Sequence, residues 1–197
     1  MTCIQVHAQG HKLNIGLDFS YGTHYFNKDI SNPFVGNLNL GYEYMPSKYF
    51  GLEVGASGGG FVHSFDFGND ELRQIIDSYK GNSFSIFIAP KLYYNFDNMK
   101  SGKEHHYLFL EAKLKRAITQ INHNIENNDK TKFSKKHNIY EAKMGYSYPI
   151  DDIWNLNFWV GYNSFDFAIV NPSVVDYKSS TPLQLGIGFS YLVSKRR

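Results

Sequence analysis

Eight separate stretches of this chain alternate between apolar and polar residues. In the first, Leu13, Ile15, Leu17, Phe19 and Tyr21 interleave with Lys12, Asn14, Gly16, Asp18 and Ser20. Successive side chains of a strand leave opposite faces, so a period of two predicts a β-strand with one apolar and one polar face. Residues 37–44 repeat the pattern, with Leu38, Leu40, Tyr42 and Tyr44 against Asn37, Asn39, Gly41 and Glu43. Residues 50–62 set Phe50, Leu52, Val54 and Ala56 against Gly51, Glu53, Gly55 and Ser57, and the pattern weakens at Gly58, Gly59 and Gly60. Residues 84–96 follow, with Pro90 costing the strand one ladder donor. The last four stretches are 107–115, 140–148, 154–163 and 183–192.

The connections sort by length. Residues 45–49 and 149–153 are short links, and 97–106 is longer but turn-rich. Residues 22–36, 63–83, 116–139 and 164–182 are long. Short turns on one rim and long loops on the other suit a transmembrane barrel whose termini share the short-turn rim. Within the second long connection, Leu72, Ile75, Ile76 and Tyr79 have helical spacing, which predicts a short amphipathic helix over 69–81. Asn69 or Asp70 would cap its start and Gly81 its end.

Which face meets solvent is a separate question, because a soluble carrier with an apolar cavity also alternates. The apolar face of all eight stretches carries no ionisable side chain except tyrosine, as a lipid-facing surface requires. The polar face carries Lys12, Asp18, Glu43, Glu53, Lys91, Glu111, Lys113, Lys115, Glu141 and Lys143. Opposite charges can pair in a narrow lumen, where an unpaired charge is costly. We therefore expect Glu43, Glu53, Lys91, Glu111, Lys113, Glu141 and Lys143 to form a lumen charge network. Aromatic residues also gather near the strand ends of the apolar face, where rings with one wet edge suit the headgroup layer. Mean hydropathy is −0.40 and no run of 18 apolar residues occurs, so a membrane-spanning helix is excluded. Net charge is +2, which gives no basic footprint for nucleic acid.

Gln184, Gly186, Phe189 and Tyr191 in the last stretch resemble the C-terminal assembly signal of outer-membrane barrels, which the barrel-insertion machinery reads. With the strand pattern and loop sorting, they make the chain resemble the eight-stranded outer-membrane barrels of the OmpA/OmpX type. More narrowly, it resembles the outer-membrane β-barrel proteins common in Bacteroidota. In many members an aromatic residue ends the chain, whereas here Leu192 to Arg197 follow. The resemblance covers residues 10–194. It implies an all-β, eight-stranded antiparallel up-and-down transmembrane barrel with periplasmic termini and extracellular long loops. Residues 1–9, with Val6-His7-Ala8 shaped like a cleavage site, read as the remnant of a signal peptide, and 195–197 as a basic tail.

The fold does not fix the function, because such families include anchors, adhesins, small pores and lipid-modifying enzymes. The expected role is a surface-exposed structural or interaction protein with a plugged lumen, adhesin-like or in contact with lipopolysaccharide. Lys130, Lys132, Lys135 and Lys136 of the third long connection are the candidate lipopolysaccharide contacts. Expected partners are outer-membrane lipid, the insertion machinery and an unidentified surface partner. A small channel and an outer-leaflet lipid enzyme are the alternatives. His63 and Ser64 invite comparison with lipid A deacylases, but adjacent strand residues point to opposite faces. No cofactor or metal is expected: the histidines form no ligand spacing, and Cys3 is the only cysteine.

Overall fold

The computed structural model describes residues 10–21, 34–69, 72–95, 106–124, 130–165 and 182–194. The expected leader remnant at 1–9 and the basic tail at 195–197 lie outside these residues. Eight strands follow one another: β1 (Gly10–Tyr21), β2 (Phe34–Ser47), β3 (Phe50–Asn69), β4 (Leu72–Asn95), β5 (Tyr107–Asn124), β6 (Lys130–Pro149), β7 (Trp154–Asn163) and β8 (Leu183–Ser194). Each pairs antiparallel with the next, and β1 closes on β8. Closure satisfies the backbone along every seam, the condition for crossing hydrocarbon without a helix.

The short links behave as expected. Lys48 and Tyr49 turn the chain between β2 and β3. Between β6 and β7, the Asp151 Oδ1 accepts hydrogen bonds from the Ile153 and Trp154 amides at 2.8 and 2.7 Å. An aspartate side chain that caps nearby amides is a standard way to fix so tight a bend. Both turns share a rim with Gly10 and Ser194, here called the near rim.

The far rim departs from expectation. The helix predicted over 69–81 does not form. Leu72 to Gly81 instead belong to β4 and pair with β3 from Asn69↔Leu72 to Phe61↔Gly81. From Ser78 onward they pair with β5 as well. A two-sided ladder satisfies the backbone more fully than an isolated turn or two of helix, and Ile and Tyr favour strands. The connection 116–139 is likewise mostly strand, pairing from Arg116↔Asn138 to Asn124↔Lys130. Thus β3 runs seven residues past its last partner on β2, the Phe34↔Val62 pair. β6 begins eleven residues before Glu141, its first residue paired with β7, in the Glu141↔Asn163 pair. At about 3.4 Å per residue, β3 extends over 20 Å past its pairing with β2 and β6 over 30 Å past its pairing with β7, while β4 and β5 stay paired as far as Ser78↔Asn124.

Pro90 interrupts the β4–β5 ladder, where the register passes from Ile88↔Leu114 to Lys91↔Glu111. The proline's missing N–H accounts for the gap.

Candidate functional site

The wall is inside out relative to a soluble protein. Leu40, Ile86, Leu92, Leu110 and Leu185 are each more than half exposed and form part of an apolar belt on all sides. Asp18, Glu43, Glu53, Glu111 and Glu141 are buried with Lys12, Lys91, Lys113, Lys115 and Lys143. An apolar exterior of this extent around a closed, charged interior identifies a membrane-spanning barrel.

The seven residues expected to form the lumen network do meet, and the register explains how. Carried on β2, β3, β4, β5 and β6, these seven side chains all point to the axis. Lys91 lies 3.4 Å from Glu43 and 3.2 Å from Glu111, and it also pairs with Glu53. Glu111 is 3.1 Å from Lys113 and 3.7 Å from Lys143. Lys143 continues the chain to Glu141 at 3.1 Å.

Sequence reasoning left out of this network three residues that it had placed on the same face, Asp18, Lys115 and Lys12. Asp18 receives Lys143 at 3.0 Å, and Lys115 pairs with Glu141 at 2.5 Å. Lys12 completes the set over the rings of Tyr93 and Tyr107, at 4.9 and 5.6 Å. Among the described residues the buried carboxylates and lysines then number five each, so their formal charge cancels. Neutral donors also serve three of the carboxylates. The Asn39 amide donates to Asp18 at 2.7 Å, Asn14 to Glu43 and Glu53 at 3.0 and 2.9 Å, and the Tyr93 hydroxyl to Glu43 at 2.6 Å. Their parity on the strands was the available signal.

Trp159 also points inward and donates its indole N–H to Asp18 at 2.6 Å. Its ring lies over Gly16, Gly186 and Gly188, where any Cβ would collide with the indole or crowd the neighbouring backbone. These glycines are therefore needed for close approach. Apolar clusters lie on both sides of the ionic layer. Met45, Tyr93 and Phe109 form one, with Tyr107 and Trp159 against it. Val35, Phe61, Ala117, Ile121, Ile139 and Phe165 form the other. Between Lys12, Glu53, Lys113 and Trp159 a residual cavity of about 50 Å³ remains. That space suits a few waters and is too small for a solute.

The candidate assembly residues serve different sides of β8. Gln184 is fully buried in the lumen and Gly186 lies under Trp159, whereas Phe189 faces outward. Tyr191 packs on Trp154 with ring centroids 4.8 Å apart. Near the same rim, His11 sits between Tyr42 and Tyr44, and His106 between Tyr146 and Tyr148. The Tyr42 hydroxyl is 2.5 Å from His11 Nδ1, and the Tyr146 hydroxyl is 2.6 Å from His106 Nδ1. These polar-tipped rings have the chemistry of a headgroup-level girdle.

The four lysines expected at lipopolysaccharide do not share a face. Lys132 and Lys136 are exposed on the outer side of β6, and Lys135 falls on the opposite side. Lys130 is part of β6, and its side chain lies outside the described residues, as do those of His63 and Ser64. No group of three or more His, Cys, Asp or Glu residues suited to a metal occurs among the described residues.

No family model and no curated protein matches the sequence. Solved structures do match its shape. Neisserial surface protein A aligns at 14% identity and TM-score 0.51, covering 93% of this chain and 97% of that one. The attachment invasion locus protein Ail of Yersinia pestis, in complex with the heparin analogue sucrose octasulfate, aligns at 16% and 0.51, covering 93% and 99%. The outer-membrane protein OprG of Pseudomonas aeruginosa aligns at 16% and 0.50, covering 96% and 99%. At this identity the likeness establishes the fold, an OmpA/OmpX-like eight-stranded barrel.

Proposed function

Given a fold shared with small outer-membrane barrels, we propose that this chain is a closed outer-membrane barrel that works through its outer surface and not as a conduit. The observation that carries the reading is the lumen. Among the described residues, five carboxylates and five lysines are buried together across the bore, between two apolar clusters. An ion entering this layer would have to replace paired partners in a low-dielectric interior, which is costly. An eight-stranded barrel also has an interior just wide enough for its own side chains to fill.

In this reading the near rim, with the termini and short turns, is periplasmic. The β3–β4 and β5–β6 hairpins then stand outside the cell as a structural and interaction surface, with no catalytic role. Gln184, Gly186, Phe189 and Tyr191 present the last strand to the insertion machinery. Planar-bilayer recording tests the proposal. Refolded protein should give little or no stable conductance, and a large, steady single-channel current would overturn it.

A further inference from the structure

The outer faces of β4, β5 and β6 change character toward the far rim. Along β5 the outward positions run Leu108, Leu110, Ala112 and Leu114, then Arg116, Ile118, Gln120 and Asn122. Along β6 they run Met144, Ala142 and Tyr140, then Asn138, Lys136, Ser134 and Lys132. On β4, Ile86 and Phe84 give way to Asn82 and Lys80. Four exposed cations from three adjacent strands thus share one face: Lys80, Arg116, Lys132 and Lys136. The described outward side chains of these strands include no carboxylate.

Register gathers the cations into two pairs, Arg116 with Lys136 and Lys80 with Lys132, about 14–20 Å apart along the strands and so matched to separate phosphates. Arg116 opposes Asn138, so Lys136 is its diagonal neighbour, about 7–8 Å away. Lys80 and Lys132 flank Asn122 from either side, about 9–10 Å apart. Arg116 Nη1 donates to Asn138 Oδ1 at 2.8 Å, which holds the guanidinium across the strand gap. Its other N–H groups remain to serve an oxyanion, and Arg suits phosphate in particular. Asn82, Gln120, Asn122 and Ser134 add neutral hydrogen-bonding groups among the cations.

We propose that this face binds a phosphorylated lipid of the leaflet around the far rim, with its phosphates on Lys80, Arg116, Lys132 and Lys136. The inference rests on the reading of the chain as a membrane barrel. A lipid is the occupant because the basic patch continues directly into the lipid-facing wall. Cations are expensive in hydrocarbon and tolerated at its edge, so the change from Leu114 to Arg116 marks headgroup depth. Below it, an apolar groove among Leu92, Leu110, Ala112, Ala142, Met144 and Val160 can take an acyl chain. Ala112 lies about 14 Å down the strand from Arg116, within the length of such a chain.

The test uses purified full-length protein in neutral-headgroup detergent, where sidedness does not matter. Native mass spectrometry compares retention of diphosphorylated lipid A with its dephosphorylated form. The wild type should prefer the phosphorylated lipid by at least about tenfold, and added salt should weaken that preference. R116Q/K136Q should bring the ratio near one, whereas K48Q at the near-rim turn should leave it unchanged. Heat-modified gel mobility checks that each variant folds. If the double variant fails to fold, K80Q/K132Q replaces it, with a severalfold loss expected. Equal retention of both lipids by the wild type, or a preference that survives in the folded variants, would overturn the proposal. So would tight binding of sucrose octasulfate that displaces the lipid, because the face would then be a site for soluble polyanions. Recovery of the wild type without detergent would instead reject the membrane reading itself.

Discussion

Replacing Lys143 with methionine keeps most of the side-chain volume and removes one charge from the lumen. Its ammonium lies 3.0 Å from Asp18, 3.1 Å from Glu141 and 3.7 Å from Glu111. Two of these carboxylates keep other cations: Lys115 is 2.5 Å from Glu141, and Lys113 is 3.1 Å from Glu111. Asp18 is left with Asn39, the Trp159 indole and Lys115 at 3.9 Å. Removing one partner of a buried pair typically costs 3–5 kcal/mol, and the surviving partners put this case at the lower end, about 3 kcal/mol. Adding D18N restores neutrality, so K143M/D18N should cost about 1–3 kcal/mol less than the two single losses combined. The assay is reversible urea unfolding in thin lipid vesicles, followed by tryptophan fluorescence. Trp154 and Trp159 are the only tryptophans, and the Trp159 ring is 5.3 Å from the Lys143 ammonium. If K143M unfolds within about 0.5 kcal/mol of wild type and the double variant is additive, the ion-pair layer is not a coupled plug and the reasoning fails.

Other positions probe the wall. Leu110→Arg and Leu185→Arg, on the exposed apolar belt, should each destabilise the inserted barrel by about 2–4 kcal/mol in the same assay. Equal tolerance of Arg at these positions and at a polar exposed site such as Ser134 would contradict a lipid-facing belt. Gly186→Ala should cost about 1–3 kcal/mol by forcing its methyl into the Trp159 indole, and W159F should recover part of that loss. Refolding into protein-free vesicles separates packing from machinery recognition: a G186A variant that folds normally there would leave Gly186 with a signalling role alone. For sidedness, a cysteine at Ser134 should react with an impermeant label on intact cells and one at Asp151 should not; the reverse result would invert the proposed orientation.

Much of the site was legible because side-chain direction in a strand is local. Parity alone placed Lys12, Asp18, Lys91, Glu111 and Lys143 on one face, and the structure keeps them there. Asp18, Lys115 and Lys12 were left out of the expected network because nothing in their neighbourhoods indicates which opposite strand they meet. Arg116 and Lys80 were hidden differently. They fall in stretches where polar residues occupy both faces, so alternation fades although the strand continues. Carrying the parity of Leu110 and Leu114 forward would have set Arg116 on the outer face.

Eight two-faced strands, the inward set of charges and the near-rim turns follow from this sequence by itself, since they depend on period two, on Pro and Gly placement and on residues a few positions apart. The tertiary structure decided the rest. Leu72 to Gly81 could satisfy a helical spacing, and became strand because β3, and then β5, supplied backbone partners along the segment. The pairing of Asp18 with Lys143 joins residues 125 positions apart. It exists only because closure of β1 on β8 sets both side chains across one narrow bore. Likewise, Lys80, Arg116 and Lys136 form one surface through the register of three strands, a quantity fixed by pairing between distant segments and not by any local pattern.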